Sequence, residues 1–176
     1  PSYGAKIQLA PAPDDSSPLN DETKQRMQAI TGALLHYARA VDNKLLVALG
    51  TIATQTHAPT QRTAQLVDHL LNYVATYPND GIIYRKSGMQ LAAHSDAGYL
   101  NENNAKSRAS AHIYLSENVP MPPFNGAILS IAQIIKYVMS SAAEAELAAL
   151  FITARKCAEI RHTLLEMKWP QQPTPI

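Results

Sequence analysis

Cysteine occurs once in the 176 residues, at Cys157, so the chain closes no internal disulfide and builds no cysteine-rich zinc cluster. A reducing, intracellular setting is the simpler expectation. Charged side chains are also scarce, at 16%, and nearly balanced, with a formal net charge of +1. A basic face can sit inside such a balance, so charge neither implies nor excludes a nucleic-acid partner. Aromatic residues make up 6%, mostly tyrosines scattered along helical text, which offers no stacking platform for single strands. The chain has no run of 18 apolar residues, and its opening, PSYGAKIQLAPAPDD, has neither a basic leader nor an apolar core. Neither a membrane span nor a signal peptide is visible.

What the chain does have is apolar content, at 46%, which argues for a folded protein with much burial. Its length suits one ordinary domain, or a small domain with a helical appendage, and the second is expected. The start at Pro1 and the stop at PQQPTPI suggest a piece of a longer polypeptide.

Residues 1–19 carry Pro1, Pro11, Pro13 and Pro18 and the run Asp14-Asp15-Ser16-Ser17, and read as an irregular, proline-rich lead-in. Residues 20–80 turn helical. Met27, Ile30, Leu34, Leu35, Ala38 and Val41 recur at spacings of three and four, and Leu45, Leu46, Leu49, Ile52 and Ala53 resume the pattern after Asp42-Asn43. A third helix starts near Pro59, with Leu66, Leu70, Tyr73 and Val74 as its apolar stripe, and stops between Pro78 and Gly81.

In residues 81–176 the period first shortens. IIYR, a Lys86-Ser87-Gly88 turn and MQLAAHSDA predict a hairpin. SRASAHIYLS predicts a further strand, and GAILSIAQIIKYVM one long strand or two short ones. A long helix then runs through SSAAEAELAALFITARKCAEIRHTLLEM, its stripe formed by Leu147, Leu150, Phe151, Ala154, Ala158, Leu164 and Leu165. The fold class is therefore α+β.

Alternation along QLAAHSDA puts Gln90, Ala92, His94 and Asp96 on one face and Leu91, Ala93 and Ser95 on the other. At the helix start, Glu144 and Glu146 lie about 200° apart around the axis, so they cannot both face one site. Ser141-Ala142-Ala143-Glu144 matches a capping box, which gives Glu144 a structural task and leaves Glu146 the better candidate for chemistry. His94 reads as hydrogen-bonded scaffold, and the other histidines have no metal-binding spacing. Cys157 reads as core. Arg85-Lys86, Lys106 with Arg108, and Arg155-Lys156 are candidate phosphate contacts, and Lys106 and Arg108 are nearest Asp96 in sequence.

HSDAGYLN, SRASAHIYLS and MSSAAEAELAAL, in that order and separation, resemble the ribonuclease H domain of copia-type retrotransposon polyproteins, in which an S-D-A strand end precedes an S-S-x-E-A-E helix start. The upstream text QAITGALLHYARAVDNKLLVALG and PTQRTAQLVDHLLNYVATYPNDGIIY resembles the segment joining the reverse-transcriptase core to that domain. The resemblance covers residues 20–176. It implies an incomplete ribonuclease H-like mixed sheet with a long packing helix, preceded by a helical connection segment.

The resemblance further implies that Asp96 and Glu146 are catalytic, metal-binding carboxylates. The activity would be hydrolysis of the RNA strand of an RNA–DNA hybrid with two Mg²⁺ ions, in the cytoplasm or a retroelement particle, alongside the rest of the polyprotein. The family's third aspartate, in a T-D-N type strand, is not in this chain, so the segment alone is expected to retain metal poorly and cleave little. Ala109-Ser110-Ala111 also stands where many relatives carry a glycine. Two rival readings are a non-catalytic structural or nucleic-acid-binding remnant, and an all-helical interaction protein in which residues 82–138 form no sheet.

Overall fold

The computed structural model describes residues 14–102 and 105–176, which fall into two compact units, residues 14–84 and residues 85–176. The first unit is helical and the second mixed, as the change of hydrophobic period requires. Residues 1–13 of the lead-in lie outside the described residues.

In the first unit α1 (Asp21–Ala40) opens at Asn20, whose side chain accepts from the Thr23 N–H at 2.9 Å and satisfies a donor that every helix start leaves free. The helix ends ahead of Asp42. That buried carboxylate accepts from the Lys44 N–H and caps a short 3-10 turn (Asn43–Leu45) leading into α2 (Leu46–Gln55). The helices thus meet where Asp42-Asn43 interrupts the apolar spacing.

α3 (Gln61–Thr76) begins after Thr60, because Thr60 and Thr63 form a reciprocal capping box that fixes the start more firmly than Pro59 does. Its buried residues are Thr63, Val67 and Leu70. The packed face is therefore rotated from the expected stripe, and Leu66 is exposed. The lead-in's described end, residues 14–19, is docked against the start of α3. Leu19 N–H donates to the Pro59 carbonyl, Gln61 N–H to that of Ser17, and Thr60 Oγ1 to Asp14 Oδ2.

IIYR, where the first unit ends and the second begins in sequence, forms no strand. The sheet consists of β1 (Gln90–Glu102), β2 (Lys106–Ser116) and β3 (Ala127–Ile134), in spatial order β1-β2-β3 and antiparallel throughout. That sheet removes the all-helical reading. The expected mixed sheet is not formed among the described residues.

α4 (Ala142–Glu166) covers one sheet face, and of the stripe expected to pack only Leu164 does. Ala145, Ala149, Thr153, Cys157 and Leu164 are buried, whereas Leu147, Leu150, Phe151 and Leu165 are exposed. Small residues win because the sheet beneath is itself lined with Ala93, Ala97, Ala109 and Ala111, so helix and sheet approach closely. The buried Ala109 and Ala111 fit this shallow seam.

α4 ends in a tight reversal. Trp169 N–H donates to the Leu164 carbonyl and Lys168 N–H to that of Leu165, with Lys168 in the left-handed region at φ 69°. The tail then follows the edge of β1 that β2 leaves free. Leu91 N–H donates to Gln171 Oε1 at 2.8 Å and Ala93 N–H to the Pro175 carbonyl at 3.0 Å. Tail and β1 advance in the same sense. The tail is irregular rather than a strand because Pro170, Pro173 and Pro175 lack N–H groups for a ladder.

Candidate functional site

Asp96 projects from the face of the sheet turned away from α4, together with His94, as strand alternation dictates. It is exposed and stands opposite Ser110, whose hydroxyl donates to the Asp96 main-chain carbonyl at 3.2 Å. Antiparallel alternation also turns the backbone groups of Ser95 and Ala97 toward the free edge, immediately beyond the stretch that the tail occupies. On the helix side, Ser95 Oγ accepts from Thr153 Oγ1 at 3.3 Å.

Glu144 and Glu146 flank Ala145, which is wholly buried, and both are exposed. Glu144 has the structural task expected of it, with a shift of one residue: its carboxylate accepts from the N–H and hydroxyl of Ser140, both at 2.6 Å, rather than from the cap N–H of Ser141. Those bonds hold its carboxyl below the ordinary value of 4.5. The Ser141 hydroxyl accepts from the Glu144 N–H at 3.1 Å. Glu146 has no such bonds among the described residues. The start of α4 and the Asp96 segment share a core cluster in which Ala145 and Ala149 pack with Ala97 and Tyr99. Asp96 and Glu146 thus stand on elements that meet, with Asp96 on the far side of the strand from the helix.

Of the two nearest cations, Lys106 is exposed and Arg108 is not. Arg108 is 5% exposed, and its Nε donates to Glu102 Oε1 and its Nη1 to the Ala132 carbonyl. Its guanidinium is turned inward, because a register irregularity between Gly98 and Glu102 brings Glu102 back over β2.

Sequence reasoning missed an aromatic cluster on the Asp96 face. His94 stacks on Phe124 at 4.6 Å, and Tyr114 lies 5.8 Å from His94 and 5.6 Å from Phe124, with all three rings within 23° of parallel. His94 Nε2 is 3.1 Å from the Tyr114 hydroxyl, which donates in turn to the Pro122 carbonyl. Burial pushes the Tyr114 phenol above its ordinary value. The available signal was the even-numbered alternation His94, His112, Tyr114. Phe124 joins from a loop whose return over the sheet no local period encodes.

Among the described residues no group of three or more His, Cys, Asp or Glu is placed to hold a metal ion. Asp96 and Glu146 do not by themselves make a two-metal centre, since Mg²⁺ needs further oxygen ligands and prefers substrate phosphate among them. No helix among the described residues is long and apolar enough to cross a membrane. Comparison of the chain with family models, curated proteins and solved structures finds no match.

Proposed function

We propose that this chain is the connection segment and part of the ribonuclease H region of a copia-type retroelement polyprotein. The activity to which it contributes is metal-dependent hydrolysis of the RNA strand in RNA–DNA hybrids. The observation that carries the reading is the path of the chain after α4: it returns parallel to β1, along the free edge, and heads toward Asp96.

A strand, a covering helix and a parallel return form a crossover, and such crossovers are right-handed in the great majority of cases. With that hand, the residue after Ala145, about 100° further round the helix, turns toward the free edge of β1, and the residue before it turns away. On this reading Glu146 is the glutamate turned toward the free edge of β1, and Glu144 keeps its capping task. Residues continuing past Ile176 along this edge would be the source of a further carboxylate. Asp96 and Glu146 would then bind and orient Mg²⁺ that activates water for attack on the phosphodiester, and Lys106 is the better placed of the two expected phosphate contacts.

Incubation of a labelled RNA–DNA hybrid with Mg²⁺ tests the reading, with this chain and with a version carrying further residues of the parent frame. The extended version should cleave, the present chain far less, and Asp96→Asn should abolish cleavage. Full activity in that variant removes the assignment. The alternative is a non-catalytic structural or nucleic-acid-binding remnant, in which the acidic positions are incidental. Salt-sensitive, metal-independent hybrid binding without cleavage by the extended version would establish it.

A further inference from the structure

Resting on the nucleic-acid reading of the Asp96 face, we propose that Phe124, stacked on His94 and flanked by Arg85 and Lys86, is a binding site for an unpaired nucleotide. The base would lie on the phenyl ring and the adjoining phosphates on the two cations.

Phe124 is 65% exposed, and its orientation is nonetheless fixed. Its ring rests on His94 on a floor formed by Tyr114, which is wholly buried. The residues on either side are tied to β2: the Pro123 carbonyl accepts from Ser116 Oγ at 2.6 Å, and the Asn125 carbonyl is 2.9 Å from His112 Nε2. A large apolar ring held open to water by its neighbours is ready for a flat partner, and little ordering entropy remains to be lost on binding.

The cations are an independent observation. Asn125 Oδ1 accepts from the Arg85 N–H at 2.7 Å and Asn125 Nδ2 donates to the Arg85 carbonyl at 2.9 Å, which fastens the main chain of Arg85 to the residue that follows Phe124. Both side chains are exposed, and neither is ion-paired among the described residues. An open aromatic next to unpaired cations is the combination that binds single strands, since every base has a face to stack and every linkage a charge to neutralise. Asp96, two residues along the strand from His94, repels phosphate and directs the backbone to the Arg85 side. Bases inside a duplex have both faces covered, so the ligand is a single strand or an overhanging nucleotide.

The test is fluorescence anisotropy of a labelled oligothymidylate of about 12 nucleotides, in EDTA at low salt, titrated with the whole chain. Phe124→Ala and Phe124→Leu should each weaken binding about five- to a hundredfold, the range expected for loss of one stacked base. The double variant Arg85→Ala, Lys86→Ala should weaken it and flatten the salt dependence. An abasic strand should bind the wild type more weakly, and Phe124→Leu should erase that difference. Phe124→Leu, with unchanged circular dichroism, binding both strands as the wild type does would overturn the proposal, as would a wild type that binds neither. Cleavage by the extended chain is scored separately. Cleavage without a Phe124 effect removes the stacking site alone, and a Phe124 effect without cleavage removes the nuclease reading alone.

Discussion

Arg108 and Glu102 are joined across the β1–β2 hairpin by a bond from Nε to Oε1, with both residues at least nine-tenths buried. Removing the Glu102 carboxylate takes away a charged acceptor from a guanidinium held out of water. Glu102→Ala should therefore cost about 3–5 kcal/mol, whereas the apolar pair Glu102→Leu, Arg108→Met should recover most of that loss. Urea denaturation of the three proteins gives the answer, and equal stability of single and double variants would contradict it.

The seam under α4 makes a second prediction. Ala149 is wholly buried against the sheet, so Ala149→Leu should destabilise by about 1–3 kcal/mol through overpacking. Phe151, although far larger, is 61% exposed, and Phe151→Ser should change stability by no more than about 0.5 kcal/mol. The reverse ranking would mean that the helix packs on the stripe its bulky residues suggest.

Arg161 holds the tail, with Nη1 donating to the Gln172 carbonyl and Thr174 Oγ1, and Nη2 to the Gln171 carbonyl. In Arg161→Ala the edge amides of Leu91 and Ala93 should exchange hydrogen faster while that of Ile113, in the central strand, keeps its protection. Lys168→Gly acts in the opposite direction at the head of the same tail. It relieves a left-handed residue and should add about 1 kcal/mol, seen as a higher Tm.

The Glu144 carboxyl supplies a pH dependence with a definite sign. Its folded value lies below 4.5 because Ser140 bonds the charged form, so its contribution is present above the unfolded value and is lost as pH falls through the folded one. In thermal melts from pH 6 down to pH 3, the wild type should lose more than Glu144→Gln does. Parallel curves would show that the bonds to Ser140 carry no stability.

Much of this was legible in the residues. Spacings of three and four placed the helices, Asp42-Asn43 marked their junction, and strict alternation put His94 and Asp96 together on one face of β1. Ser141 with Glu144 announced the start of α4. These are local rules, each settled within a few residues by backbone hydrogen bonding and side-chain direction.

Tertiary structure alone decided which side of α4 is buried, that Arg108 turns inward to Glu102, that Phe124 returns to stack on His94, and that the tail lies along β1. Each of these depends on a partner distant in sequence or on the depth of the surface beneath. Period 3.6 shows where apolar residues recur, but the alanine-lined sheet decides that small ones approach it and large ones stay outside.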